Sequence, residues 1–199
     1  MSDIRLTDSA TMWALAHPTR LRLLGELRAR GPATVGRLAT RTGQAVGSVS
    51  YHLRTLAAHG LVTEAAGHAR DRRERWWQAA HETTSFAPAD VRGDPEGEAA
   101  MAALRRSIIH GYARGLERAL DQERHLPPEW VAATGGGDEL LHLTVEEAAE
   151  LRAELEATAA RWHARGAAGR PGAEPVWFIY QAVRREPTPS PAADGSTAP

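Results

Sequence analysis

The chain has 199 residues, 24 basic and 25 acidic side chains, a formal net charge of −1 and no Cys. Without Cys there can be no disulfide, thiol nucleophile or thiolate metal site, and no run approaches the ~20 apolar residues that a membrane span needs. The charge is unevenly placed: residues 1 to 80 hold 12 basic and 6 acidic residues, +6 in balance, which leaves −7 for the rest, so one part suits phosphate and the other does not.

In chain order, the first predicted element follows His17-Pro18-Thr19-Arg20, with Pro18 at the opening turn of a helix that runs through Leu21, Leu23, Leu24 and Leu27 to Gly31. Gly31-Pro32 breaks the chain, and a short second helix follows with Val35, Leu38 and Ala39 on its apolar side and Gly43 as its stop. Two helices joined by a tight Gly-containing turn are helix-turn-helix grammar. The third helix lies in QAVGSVSYHLRTLAAHGLV, residues 44–62. At about 100° per residue, Val49, Leu53 and Leu56 share one side, Gly47, Tyr51, Arg54 and Ala58 lie opposite, and Ser48 and Ser50 flank them. That outward face is small, hydroxylic and cationic, able to approach a major groove and reach phosphates or base edges. Taken alone, the segment also reads as an ordinary amphipathic surface helix. His52 sits at the edge of the apolar face, a structural residue within reach of a phosphate contact, and His59 lies near the helix end. Beyond it, Gly60 to Thr63 starts a short strand. The chain turns through residues 67–73 and returns along Arg75 to Ala79, a two-stranded wing whose basic tip carries Arg70, Arg72, Arg73 and Arg75.

Residues 11–79, through ALAHPTRLRLLGEL, SVSYHLRTLAAHGLV and RDRRERWW, resemble the winged helix-turn-helix domain of ArsR-type bacterial transcriptional regulators. The resemblance implies a homodimer that binds a double-stranded, inverted-repeat DNA operator with one recognition helix per half-site and usually represses. DNA contacts are expected from Gly47, Ser48, Ser50, Tyr51, Arg54, Arg70, Arg72, Arg73 and Arg75. The Cys-based metal or redox sensing of some relatives is excluded here, and no metal site or cofactor is expected. The nine His are scattered; Glu123, His125 and His142, or His110 with Glu117, would need a partner chain to hold a metal. Every basic residue is Arg, which favours forked contacts, although a GC-rich gene gives the same bias.

The expected organisation is a DNA-binding domain over 8–80, an extended linker over 81–98, a second module over 99–186 and a disordered tail over 187–199. From Ala99 a long helix is predicted with Met101, Leu104, Ile108, Tyr112, Leu116 and Leu120 in one stripe. Its spacing fits packing inside its own subunit and pairing with a second one equally well; the resemblance favours the dimer, with Met101, Leu104, Ile108, Tyr112 and Leu116 as its contacts. Glu139 to Leu143 reads as a short strand, Thr144-Val145-Glu146-Glu147 as a capping box, and the helix after it carries Ala148, Leu151, Leu155, Ala159 and Trp162 to an end near Gly166. Pro175 to Val183 is the best strand pattern in the chain. Trp130, Trp162, Trp177 and Tyr180 could wall a pocket for a small organic effector or simply be core.

The fold class read from this pattern is mainly α with small β elements (α+β). An enzyme is disfavoured, because Glu146, Glu147, Glu154 and Glu156 lie on a solvated helix face without a nucleophile, and no phosphate loop or serine elbow is present. A winged domain used only for protein contacts is the other alternative. No secretory signal is visible in MSDIRLTD, so the expected location is the cytoplasm.

Overall fold

The computed structural model describes residues 3–65, 75–166 and 170–185, and the chain divides into two compact units, 1–134 and 135–199. The order in the first unit is β1 (Asp3–Arg5), α1 (Ser9–Leu15), α2 (Pro18–Arg30), β2 (Ala33–Thr34), α3 (Val35–Thr42), α4 (Val46–Ala58), β3 (Val62–Glu64), β4 (Trp76–Ala79), β5 (Thr83–Ser85), a 3-10 turn (Pro88–Val91), α5 (Pro95–Glu123) and α6 (Pro128–Ala133). The second unit contains α7 (Val145–Arg165). Among the described residues no helix is long and apolar enough to cross a membrane.

Local chemistry sets the helix ends. Asp8 caps α1 by accepting from the Thr11 amide at 2.8 Å, His17 Nδ1 accepts from the Thr19 amide at 3.1 Å ahead of α2, and Thr34 caps α3. Gly43 ends α3 at φ 65°, ψ 27°, a left-handed conformation that glycine adopts without a Cβ penalty. Arg22 reaches from α2 to the same end, donating to the Thr42 carbonyl at 2.8 Å and the Arg41 carbonyl at 3.2 Å. These two carbonyls have no partner within the helix. One guanidinium thus fixes the turn between α3 and α4 to the body of the domain.

The core gathers around these helices: Met12 and Leu15 from α1, Leu23, Leu24 and Leu27 from α2, Leu38 from α3, Val49, Leu53 and Leu56 from α4, and Trp77 from β4 are all buried. The wing sheet is antiparallel in the order β2-β4-β3. Ala33 pairs with Trp77, and Val62 with Ala79. The turn joining β3 to β4, residues 66–74, lies outside the described residues.

Two expectations about the connecting segment are corrected. Residues 81–98 do not form an extended linker: β5 pairs in parallel with β1, Asp3 to Thr83 and Arg5 to Ser85, and the chain then folds through the 3-10 turn into α5. The polar character that suggested a linker is spent on specific partners. Thr83 and Ser85 donate to the Asp3 carboxylate at 2.8 and 2.7 Å, Arg5 makes a forked pair with Asp90 at 2.9 and 2.8 Å, and Arg28 donates to the His81 carbonyl and the Thr84 hydroxyl at 3.0 and 2.7 Å. The long helix starts at Pro95, four residues earlier than predicted, with Asp94 as its cap. Gly97 in its first turn is required to be small, because a Cβ there would lie 2.6 Å from Asp94 Oδ2 and 3.0 Å from Val91 Cβ.

The opening of α5 belongs to this core. Ala100, Met101 and Leu104 are buried, Ile108 packs against the cluster, and Ser107 donates its hydroxyl to the Ala16 carbonyl at the end of α1. Met101 and Leu104 are therefore corrected from subunit contacts to internal ones: at 3% and 0% exposure they have no surface left to offer. Farther along the helix the character reverses, and Ile109, Leu116 and Leu120 are exposed.

In the second unit, α7 opens with the capping box in full, Glu147 N–H donating to Thr144 Oγ1 at 3.2 Å and Thr144 N–H to Glu147 Oε2 at 2.8 Å, and it closes at Gly166. Neither Glu139 to Leu143 nor Pro175 to Val183 forms a strand. A strand is stabilised by ladder partners rather than by its own propensity. The tail expectation over 187–199 falls outside the described residues.

Candidate nucleic-acid interface

Helix α4 is held by its apolar side and displays the other. Val49, Leu53 and Leu56 are at 0% exposure, while Gly47, Tyr51, Arg54 and Ala58 are exposed and Ser48 and Ser50 half-exposed. Arg54 Nη1 donates to Ser50 Oγ at 3.1 Å, so a residue one turn earlier steadies the guanidinium along the outward face. Ala45 at the N-cap offers no side-chain hydrogen bond. The first amides of α4 therefore keep their positive partial charge free for an incoming acceptor. Gly47 has nothing within 4 Å of the place where a Cβ would sit. A glycine inside a helix costs roughly 1 kcal/mol against Ala, and no packing among the described residues requires it.

Behind the displayed face lies a group of rings. His52 is buried at 8% exposure; its ring lies 4.5 Å from His17, tilted by 40°, and 5.3 Å from Tyr51, edge-on. His52 Nδ1 and Arg20 Nε are buried without a hydrogen-bond partner. Partial desolvation, helped by the neighbouring Arg20 and, for His52, by His17, lowers the pKa of both imidazoles from the usual His value. His52 is thus a structural residue, shielded from the outward face. His59, half-buried at the end of α4, has its Nδ1 3.2 Å from Thr11 Oγ1.

Of the wing cations, Arg75 lies at the start of β4 and pairs with Glu64 on β3 at 3.5 Å, both side chains largely exposed. Arg70, Arg72 and Arg73 lie outside the described residues. Sequence reading missed a second cationic surface, on α3. Gly36, Arg37, Thr40 and Arg41 line a shallow hollow, and the Arg37 guanidinium stands 4.7 Å over the Trp76 ring at the base of the wing. The signal was the four-residue spacing of Arg37 and Arg41, which places both on one side of the helix.

Of the aromatics expected to wall an effector pocket, Trp130 belongs to the first unit and the other three to the second; the hollow beside α6 is lined by Leu120, Leu126 and Val131 with neighbours. In the second unit, Trp162 and Trp177 are exposed at 59% and 55%. Arg165 covers the Trp162 ring at 4.7 Å, and Tyr180 lies 5.5 Å from Phe178. Side chains this exposed are not the walls of an enclosed site. Among the described residues no group of three or more His, Asp and Glu is placed to hold a metal ion.

With α3, the tight turn and α4 backed by a three-stranded sheet, the first unit contains a helix-turn-helix in a winged arrangement. Residues 15–65 match the family described as "Helix-turn-helix domain". Among solved structures, the chain is similar to one called a possible transcriptional regulator for arsenical resistance, with 28% identity over 56% of this chain and 94% of that one and a TM-score of 0.31. It is also similar to RV1404 from Mycobacterium tuberculosis, with 21% identity over 59% of this chain and 73% of that one at TM-score 0.30. Transcriptional regulator PA4135 shares 16% identity over 56% of this chain and 79% of the other at TM-score 0.31. No curated protein matches.

Proposed function

We propose that this protein is a sequence-specific DNA-binding transcriptional regulator, a homodimer that represses by occupying an inverted-repeat operator. The observation that carries the reading is the outward face of α4: a guanidinium steadied on a serine, an exposed Tyr hydroxyl, uncapped helix amides and a glycine that opens the way to a groove. In this reading Ser48, Ser50, Tyr51 and Arg54 face base edges or phosphates in the major groove. Arg37 and Arg41 on α3 take the phosphates alongside, and Arg70, Arg72, Arg73 and Arg75 supply the wing.

Half-sites about one DNA turn apart require two recognition helices in fixed register. The exposed side of α5 supplies a surface for this, with Ile109, Leu116 and Leu120 at 54%, 57% and 70% exposure on one side of the helix, continued by Tyr112. Met101 and Leu104 lie beneath as anchors. Leu116→Asp should leave the domain folded and yield a monomer with weak DNA binding; a dimer of normal affinity would move the interface elsewhere.

The deciding test is selection of bound fragments from the host genome, followed by titration of the selected site across salt concentrations. Log affinity should fall linearly with log salt, and one sequence should stand well above random duplex. Failure to select any site, with no salt-dependent binding, would leave the protein-contact use of the winged domain as the better account.

A further inference from the structure

Helix α7 has 21 residues and no buried residue among them. One line of positions is nonetheless regular: Ala148, Leu151, Leu155 and Trp162, with Thr158 and Arg165 completing the series, follow one another at alternating steps of three and four, the spacing of a coiled-coil seam. Ala148, Leu151, Leu155 and Thr158 are half-exposed and Trp162 is exposed. The charges along the same helix are sorted by end. Glu146, Glu147, Glu150, Glu154 and Glu156 occupy the first part with a single Arg152, while Arg161 and Arg165 occupy the last. A helix macrodipole favours such placement only within its first and last turns. That accounts for Glu146, Glu147 and Arg165; Glu156 pairs with Arg152 at 3.6 Å and Arg161 donates to Thr158 Oγ1 at 3.2 Å, while neither Glu154 nor Arg161 has an ion-pair partner among the described residues.

We propose that α7 pairs with α7 of a second copy, side by side and antiparallel, so that the acidic part of each helix lies against the basic part of the other. Charge complementarity selects this occupant and this direction: a parallel pair would lay the acidic part of each helix beside the acidic part of the other, and the antiparallel pair lays acidic beside basic. At full overlap, Leu151 packs on the partner's Trp162 and Leu155 on the partner's Thr158. Glu154 and Arg161 lie on the same flank of the seam, so each Glu154 meets the partner's Arg161, twice by symmetry. Flanking pairs of this kind set direction and partner choice more than affinity; burial of Leu151, Leu155 and Trp162 supplies the attraction. This surface is separate from the α5 contact and does not depend on DNA binding.

The natural absence of Cys makes the test direct, since introduced thiols are the only ones present. Leu151 and Trp162 are 11 residues apart, about 16 Å along the helix, so in an antiparallel pair neither position meets its own copy. Full-length Leu151→Cys and Trp162→Cys chains are oxidised separately and mixed. The expected result is a disulfide-linked dimer in the mixture and little in either chain alone. Self-linkage of each variant alone would mean a parallel pair, and no linkage in any combination would mean no pairing; either overturns the proposal. A second series uses charge on the otherwise unaltered chain, read by sedimentation of the Leu116→Asp background so that α5 does not mask the result. Arg161→Glu should weaken association several-fold, and adding Glu154→Arg to the same chain should restore it. Positions 154 and 161 are seven apart, about 10 Å along one helix, too far for the rescue to arise within a single chain, so absence of rescue overturns the pairing.

Discussion

Helices α4 and α7 carry apolar stripes of nearly the same spacing, yet three residues of the α4 stripe are completely buried and none of α7 is. The difference lies in what surrounds each helix. α4 closes a space already walled by α1, α2, α3 and the wing, whereas α7 lies in a unit whose β-prone segments do not form strands among the described residues. Periodicity therefore states which face of a helix seeks cover, and the neighbouring elements decide whether a single chain can provide it.

The sharpest way to break this comparison is to remove the same methyl groups from both stripes. Leu53→Ala should destabilise the first unit by about 2 to 5 kcal/mol, as for a closed core site, while Leu155→Ala should cost well under 1 kcal/mol in the monomer, because water already reaches it. Thermal or denaturant unfolding with a probe in each unit checks both; equal losses would show that α7 is as well covered as α4.

On the outward face of α4, Arg54→Ala should cost about 1 to 3 kcal/mol of operator affinity and relax preference at one position if the guanidinium reads a base, or weaken all sequences alike if it holds phosphate. Gly47→Leu should block docking with the fold intact. Full operator affinity in both variants would remove α4 from the interface.

At the start of α7, Thr144→Ala removes one arm of the capping box and should cost about 1 kcal/mol of helix stability, seen as faster amide exchange confined to the first turn. Spread of that exchange into the first unit would contradict the division into two units.

The smallest effect is with pH. His17 and His52 have pKa values lowered by partial desolvation and by the nearby Arg20, so the unfolded chain binds protons that the folded one refuses. Their contribution is present above the unfolded His pKa near 6.5 and declines as pH falls from there toward the folded values. A His17→Asn/His52→Asn chain should show a flatter stability profile between pH 7 and 5 by denaturant unfolding, and an unchanged slope would place the acid sensitivity elsewhere.

The winged domain was legible because its signals are local. Pro18, Gly31 and Gly43 punctuate the helices, and the alternation of Val49, Leu53 and Leu56 with Tyr51 and Arg54 is complete within one segment. The closure of β1 on β5 was not legible, since it depends on Asp3 meeting Thr83 and Ser85 across 80 residues, and nothing in HETTSF announces a partner so distant. The long-helix stripe from Met101 to Leu120 was read correctly as apolar, but one spacing cannot tell that its first part faces α1 and its last part faces water. Arg37 was passed over for a similar reason, because its importance comes from Trp76 beneath it, a neighbour in space alone. The strand pattern at Pro175 to Val183 misled because β propensity describes a segment able to join a sheet, not one that has found a sheet to join.

The anchoring of α5 through its opening turns makes it a ruler. Its 29 residues extend about 43 Å, and Met101 and Leu104 fix the direction in which the remainder projects. Adding one residue after Ile108 would turn everything beyond it by about 100°, swinging Leu116 and Leu120 away from any surface they meet. Adding seven would return them to nearly the same bearing, about 10 Å farther out. Spacing between two wings joined through this arm would then be adjustable in steps of two turns, and operators with half-sites set apart by matching increments would report the length of the arm.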